Sequence, residues 1–401
     1  MIIKEQLETK VTAACDVLVC GGGFAGISAA LAAARLGSKV ILLEKEYILG
    51  GLGTAGLITI YLPICDGCGR QVSFGIAEEL LRLSISMGCE ARYPENWLDT
   101  NDLSKRTEKD QRFLARYNPS IFAILVEKLL ADSGVNILYG TYAVGVSKQD
   151  DKINAVIVEN KSGRQAISVK SVVDATGDCD IAYFSDAPTE IYKQGNILAG
   201  WYYSLGKNGY ELNQVGVADI RDGQKSDLDD SQPLIPDRFT GLDGAELSRM
   251  QQLSHSATMN HLLKRREMDS TIVPTLIASI PQIRMTRRIE GAYTLSDKEA
   301  HKYFADSIGM ISDWRKRGPV YEVPFGTLYS DKIKNLIIAG RCTSVTDPMW
   351  DIMRVIPCCA VTGQAAGTAA AMCDNFTTLD VSQLQKVLQK NGVVLHEEDL
   401  K

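Results

Sequence analysis

The stretch Asp16-Val17-Leu18-Val19-Cys20-Gly21-Gly22-Gly23-Phe24-Ala25-Gly26 decides the fold of this chain. A short apolar run leads straight into glycines at 21, 23 and 26, and an Ala-rich run follows. A second apolar run, Val40-Ile41-Leu42-Leu43, ends in Glu44, 23 residues after Gly21. Strand, glycine turn, small-residue helix, strand and terminal acid together predict a Rossmann βαβ unit that binds a dinucleotide. Gly21 permits the tight turn, Gly23 lets a pyrophosphate approach the backbone, and Gly26 lets the helix lie close on the strand. The free N–H groups at the start of that helix, with Phe24 and Ala25 in its first turn, face the phosphates. Glu44 is placed to accept a hydrogen bond from a ribose hydroxyl, with Lys45 beside it.

Glycines gather again just past the ribose acid, at Gly50-Gly51-Leu52-Gly53-Thr54-Ala55-Gly56. Further along stand Val172-Val173-Asp174-Ala175-Thr176-Gly177-Asp178 and Asn335-Leu336-Ile337-Ile338-Ala339-Gly340-Arg341-Cys342. Between and after them come Arg284-x-x-Arg287-Arg288-Ile289-x-Gly291-x-Tyr293, Arg354-Val355-x-Pro357 and Gly363-Gln364-Ala365-Ala366-Gly367-Thr368. In order and spacing these segments resemble the FAD-dependent oxidoreductase family of the glutathione-reductase-like flavoproteins, and the likeness reaches to about residue 373. The resemblance implies an α/β protein with a Rossmann-type FAD-binding lobe, an inserted β-meander and a second, α+β substrate lobe. It implies FAD as cofactor. Gly50, Gly51, Gly53, Thr54, Ala55 and Gly56 would run beside the pyrophosphate and ribityl chain. Ala175, Thr176 and Gly177 would lie on the strand that returns under the FAD. Gly340 and Arg341 would end the strand that reaches the ribityl phosphate. Pro357 would open a helix whose N–H groups face the flavin pyrimidine. One position departs from the pattern: many related flavoproteins carry an acid there that holds the ribityl hydroxyls, and this chain has Arg341.

The resemblance also divides the chain. The FAD-binding domain is expected over residues 1–189 and 324–401, with a polar excursion at 90–112, and the substrate domain over 190–323. Helices are expected at 74–88 and 119–133. Short strands with a Lys161-Ser162-Gly163 turn are expected over 135–173. At 401 residues the chain can bury a large core. A net charge of −6 without long basic runs argues against nucleic-acid binding. No apolar run reaches the roughly 18 residues of a membrane span. The start, Met1-Ile2-Ile3-Lys4-Glu5, lacks the apolar core of a signal peptide. Ten scattered cysteines suit reduced thiols, so a cytoplasmic protein is expected.

Several residues are candidates for chemistry. Arg284, Arg287 and Arg288 form the densest cluster, and a guanidinium fits carboxylate or carbonyl oxygens in a forked manner. The same cluster reads equally as a structural salt-bridge set with Glu290 nearby; for Arg284 a catalytic contact with substrate is expected. Arg354, three residues before Pro357, is expected to stabilise negative charge on the flavin, with Asp347 or Asp351 as the competing partners. Cys65-Asp66-Gly67-Cys68 is a CxxC without the helix start of a redox dithiol and without the second pair of a zinc site, so no metal is expected. His255, His261, Tyr202, Tyr203 and Tyr293 are candidate proton donors, and the sequence does not choose among them. The expected function is hydride exchange between flavin N5 and a small organic substrate bearing a carboxylate or carbonyl group. The alternatives are a sulfur redox enzyme using Cys65 and Cys68, and an FAD-binding RNA-modifying or assembly protein. No further GxGxxG occurs outside the two glycine clusters at 21–26 and 51–56, so no separate NAD(P)H-binding Rossmann domain is expected, and the electron partner is expected to be oxygen, a quinone, another flavoprotein or a second organic molecule. Nothing in the sequence fixes the oligomeric state.

Overall fold

The computed structural model describes residues 2–87, 114–216 and 233–400. The polar excursion expected at 90–112 lies outside the described residues, as does most of the polar loop at 219–237.

The centre is a seven-stranded sheet built from β1 (Val11–Cys20), β2 (Val40–Leu43), β5 (Asn136–Leu138), β6 (Tyr142–Gln149), β7 (Lys152–Asn160), β8 (Gly163–Asp174) and β16 (Leu336–Ile338). The strand order is β5-β2-β1-β8-β7-β6, with β16 also on β8. β1 pairs parallel with β2 and β8, and β2 pairs parallel with β5. The buried ends of β1 and β2 read as continuous apolar runs, as parallel strands covered on both faces do. β8 changes partner along its length. Its first half pairs antiparallel with β7, and its last residues pair parallel with β16. The expected β-meander, β6-β7-β8, is therefore continuous with the Rossmann sheet, and it turns at residues 161–162 between β7 and β8.

Helix α1 (Phe24–Arg35) follows the first glycine turn and is buried from Phe24 to Ala33. It crosses the late helix, α7 (Ile356–Met372), backbone to backbone. A Cβ on Gly363 would stand 2.2 Å from the Ala25 carbonyl oxygen, and one on Gly367 would stand 2.0 Å from that of Ala29. The small residues of both helices thus exist to let them touch. Helices α2 (Ile76–Ile85) and α3 (Pro119–Asp132) form where periodicity placed them, and the Asn118 side chain caps α3 at Ser120 and Ile121. The short pair β3 (Ile60–Tyr61) and β4 (Ala115–Arg116) lies beside them.

The remaining elements form smaller units. β10 (Tyr202–Gly206) pairs with β11 (Gly209–Asn213) and β12 (Val273–Ile277). The long helix α5 (Gly244–Met268) covers this sheet, with Leu262 packed beside Tyr202. β9 (Thr189–Ile191) pairs with β13 (Arg287–Ile289). The hairpin β14 (Ser307–Ser312) and β15 (Val320–Pro324) packs on α7 and on α8 (Val381–Lys390). Two further short helices are α4 (Asp180–Phe184), after β8, and α6 (Asp347–Met353), before α7. No single described helix is long and apolar enough to cross a membrane.

Candidate functional site

A cavity of about 370 Å³ opens at the carboxyl ends of β1, β2, β8 and β16, where open α/β sheets receive ligands. Gly21 has φ +105°, and a Cβ there would stand 2.4 Å from the Ala175 carbonyl oxygen. A Cβ on Gly26 would stand 1.8 Å from the Gly21 oxygen, whereas one on Gly23 meets no atom within 4 Å. Two glycines are therefore required by the protein itself, and the third keeps a wall of the cavity open. Gly21, Gly23, Phe24 and Ala25 line that wall, while Gly26 lies behind it.

Glu44 stands at the end of β2 with one carboxylate oxygen 2.8 Å from the Gly22 nitrogen and the other 2.8 Å from the Glu46 nitrogen. Burial raises its pKa, and these two N–H donors work against that rise. Lys45 lines the cavity beside it.

The second glycine loop divides in two. Gly50, Gly51 and Gly53 line the cavity, and Gly50 donates its N–H to the Gly22 oxygen at 2.8 Å, joining the two loops. Thr54, Ala55 and Gly56 do not line it. Ala55 accepts a hydrogen bond from the Ser279 nitrogen at 2.9 Å, and Gly56 accepts one from the Gln282 side chain at 2.5 Å. This half of the loop holds the segment at 279–283 in place, and Ser279, Ile280, Pro281 and Ile283 then form the far wall together with Gly241 and Leu247.

Ala175, Thr176 and Gly177 line the cavity as expected. Asp174, wholly buried, fixes their turn by accepting from Thr176, from the Ile181 nitrogen at 2.9 Å and from the Ala182 nitrogen at 3.1 Å. Two acids of the same turn, Asp178 and Asp180, also line the cavity and were not singled out beforehand. Burial, with Asp178 and Asp174 nearby, raises the Asp180 carboxyl to about 7.

The arginines part company. Arg341 lines the cavity, but its guanidinium is engaged on three sides: with the Gly177 oxygen, with the Ile283 oxygen at 2.7 Å and with Asp178 at 2.6 Å. Arg354 lines the cavity and pairs with Asp351, the bland partner that the sequence allowed. Its Nε is buried and has no partner among the described residues. Arg284 does not line the cavity. Its side chain is buried over the Trp201 ring at 5.8 Å and donates to the Gln282 oxygen at 3.3 Å. Arg288 pairs with Glu190 at 2.6 Å and Asp347 at 2.5 Å, not with Glu290. Arg287 stacks on Tyr183 at 4.1 Å. Neighbours in sequence became separate fasteners because Arg287 and Arg288 alternate across a strand. Pro357 lies in the first turn of α7, where Ile356 and Cys359, rather than Pro357 itself, reach the cavity.

The remaining candidates lie elsewhere. Tyr202 bonds His261 at 3.0 Å, Tyr203 bonds Thr59 at 2.5 Å, and Tyr293 bonds Glu299 at 2.5 Å. His255 bonds Gln251 at 2.9 Å. Cys65 is buried and Cys68 exposed in a turn organised by Asp66, and neither lines the cavity. No group of metal-ligating side chains occurs among the described residues. Cys359 does reach the cavity, but burial pushes its thiol up to about 12, so it stays protonated at neutral pH.

These features fit FAD. The open face at Gly23 and the start of α1 suit a pyrophosphate, Glu44 suits a ribose, and the orphaned Arg354 Nε and the apolar far wall suit a polar-edged ring system. The chain is similar to several known proteins. A thioredoxin reductase of Ureaplasma parvum is 33% identical over 76 residues, 19% of this chain and 25% of that protein. A thiamine thiazole synthase of Saccharolobus islandicus is 24% identical over 233 residues, 55% of this chain and 77% of that protein. Among solved structures, a geranylgeranyl bacteriochlorophyll reductase-like protein of Thermoplasma acidophilum aligns with a TM-score of 0.47 at 15% identity, covering 94% of this chain and 82% of that one. The family model described as FAD dependent oxidoreductase matches residues 16–200 and 222–388, which include the glycine loops, the turn after β8, Arg341 and Arg354. This chain belongs to that family and is an FAD-dependent oxidoreductase.

Proposed function

We propose that this enzyme exchanges a hydride between its flavin and a small organic substrate bearing a carbonyl or carboxylate group. The observation that carries the proposal is the continuity of one cavity. It begins at the dinucleotide loops and ends between the far wall, supplied by 241–283, and Arg354. Bound FAD supplies a two-electron donor and acceptor, which the protein side chains lack.

The chain's own residues bind, orient and exclude water. The glycine loops and α1 take the phosphates, and Glu44 takes the ribose. Leu247, Ile280, Pro281 and Ile283 remove water from the far end and strengthen any charge interaction made there. Of the two arginines at that end, Arg341 is engaged by Asp178 and backbone oxygens, whereas Arg354 keeps an Nε with no partner among the described residues, which would donate to an oxygen of the ring system or of the substrate. Arg284, buried against Trp201, acts as a support for the far wall. Residues 190–323 serve as the substrate lobe, and oxygen or another soluble acceptor completes the cycle.

The test is anaerobic. The flavin-loaded enzyme is mixed with hydroxy acids, unsaturated acids, amino acids and ketones, in both redox states of the flavin. At least one class is expected to bleach or restore the flavin, with a primary isotope effect when the transferred hydrogen is deuterium. A flavin that ignores every class while exchanging electrons with dithiols would sink the proposal and favour sulfur chemistry.

A further inference from the structure

Arg341 stands in the turn Gly340–Cys342 just after β16, where the resembled flavoproteins place an acid on the ribityl hydroxyls. The structure shows where a carboxylate has gone. Asp178 lies across from Arg341, on the turn after β8, and lines the same cavity. Gly177 at φ +81° and Cys179 at φ +58° flank it, so the chain bends sharply on both sides of this one residue. A non-glycine residue in the left-handed region persists where its surroundings hold it. Here the Cys179 nitrogen is held 3.0 Å from the Cys342 sulfur, and the Asp174 carboxylate pins the turn that follows.

The Asp178 carboxylate is aimed by its own partners. One oxygen, Oδ1, accepts from Arg341 at 2.6 Å and from the Thr286 hydroxyl at 2.8 Å. The other, Oδ2, takes no hydrogen bond from the described residues, and the side chain keeps 20% of its surface open. A fixed, open carboxylate oxygen selects a hydroxyl or N–H donor and repels phosphate. Asp174, Asp180, Lys45 and Arg287 are the other charges around this turn, and Arg341 compensates Asp178 directly. The phosphates of a bound FAD belong at Gly23 and α1, and its adenosine ribose belongs at Glu44. The hydroxyl donors left between those points and the far wall are those of the ribityl chain.

We propose that Asp178 grips the ribityl hydroxyls of FAD, with Arg341 and Thr286 as positioning residues that aim it. The cofactor contact has moved to the turn after β8, and the turn after β16 supplies the cation that holds it.

The test titrates apoprotein with FAD and with its 2′-, 3′- and 4′-deoxyribityl analogues, reading flavin fluorescence. At least one analogue is expected to bind the wild type about 10- to 100-fold more weakly than FAD, the factor of a hydrogen bond to a charged acceptor. In D178N the same analogue and FAD should differ by no more than about twofold, the scatter of independent changes. Three analogues that bind the wild type as tightly as FAD would overturn the proposal, whatever the variant does. So would a penalty that survives in D178N. If D178N does not fold, T286V removes one of the two anchors on Oδ1 and is expected to shrink the penalty; an unchanged penalty there counts against Asp178. Normal uptake of FAD by the wild type separates a failure here from a failure of the cofactor assignment.

Discussion

The two ends of the cavity are built on different plans. The nucleotide end comes mainly from residues 20–53, with Thr141, Tyr142 and Ala143 beside Glu44, and it offers a ligand mainly backbone: the open face of Gly23 and the first turn of α1, with Glu44 and Lys45 at the end of β2. The far end is assembled from segments around 178, 241, 280, 341 and 354, and it offers side chains that are tied to one another before any ligand arrives. Backbone sites need only glycine and a helix start. Side-chain sites need partners, and here the partners lie far apart in sequence: Arg341 and Asp178 are 163 residues apart. The two ends are nonetheless braced together, because Ala55 and Gly56 of the second glycine loop hold the segment at 279–283.

Substitutions within the first glycine turn should break the comparison most sharply. Gly26→Ala places a Cβ against the Gly21 oxygen and is expected to cost about 3 kcal/mol or more in urea unfolding of the apoprotein. Gly23→Val, facing open space, should leave that unfolding curve near wild type while the purified protein loses its flavin. Equal destabilisation by both would mean that Gly23 is structural too.

Next comes Arg341→Met at the far end. It leaves Asp178 without its charged partner and cuts the ties to Gly177 and Ile283. Breaking a buried pair on one side costs about 3 kcal/mol. The loss should appear in apoprotein stability, and flavin affinity should fall with it. A stable Arg341→Met protein would show that the far wall does not need this clamp.

Glu44→Ala belongs to the nucleotide end and should act on the ligand. FAD affinity is expected to fall by about 1–3 kcal/mol, the scale of a hydrogen bond to a charged group, as read by titrating apoprotein. Unchanged affinity would place the ribose elsewhere.

Arg284→Lys should have a smaller effect and fall on stability instead. Lysine keeps the charge but loses the flat face over Trp201. A loss of about 1 kcal/mol in unfolding, with flavin content unchanged and turnover close to wild type, is the expected pattern. A collapse of turnover at normal stability would return Arg284 to the reacting centre.

The smallest effect is a slope with pH. The Asp180 carboxyl is raised to about 7 in the folded protein, against about 3.9 for an unfolded aspartate. Between those values the folded state binds more protons than the unfolded one, so stability falls as pH rises from about 4 to about 7. Asp180→Asn should flatten that part of the apoprotein's stability profile. Because Asp180 keeps 38% of its side chain exposed on the cavity side, the slope should be shallow. An unaltered slope in the variant would assign it to another group, such as Asp174, whose pKa burial also raises.

Much of this was legible in the chain itself. The spacing of Gly21, Gly23 and Gly26, with Glu44 at the next strand end, settled the βαβ unit and its position, because tight turns and helix starts are local geometry. Tertiary structure decided the rest. It sent Arg288 to Glu190 and Asp347, Arg341 to Asp178, and Arg284 under Trp201, although sequence alone made the arginines at 284–288 look like one cluster. It also drew Ala55 and Gly56, expected as cofactor contacts, into a brace for the far wall. The physical reason is range. A glycine's role follows from its own φ and its nearest neighbours, whereas a charged side chain takes its meaning from whichever partner the fold brings within about 3 Å of it, and that partner's place in the sequence is not encoded beside it.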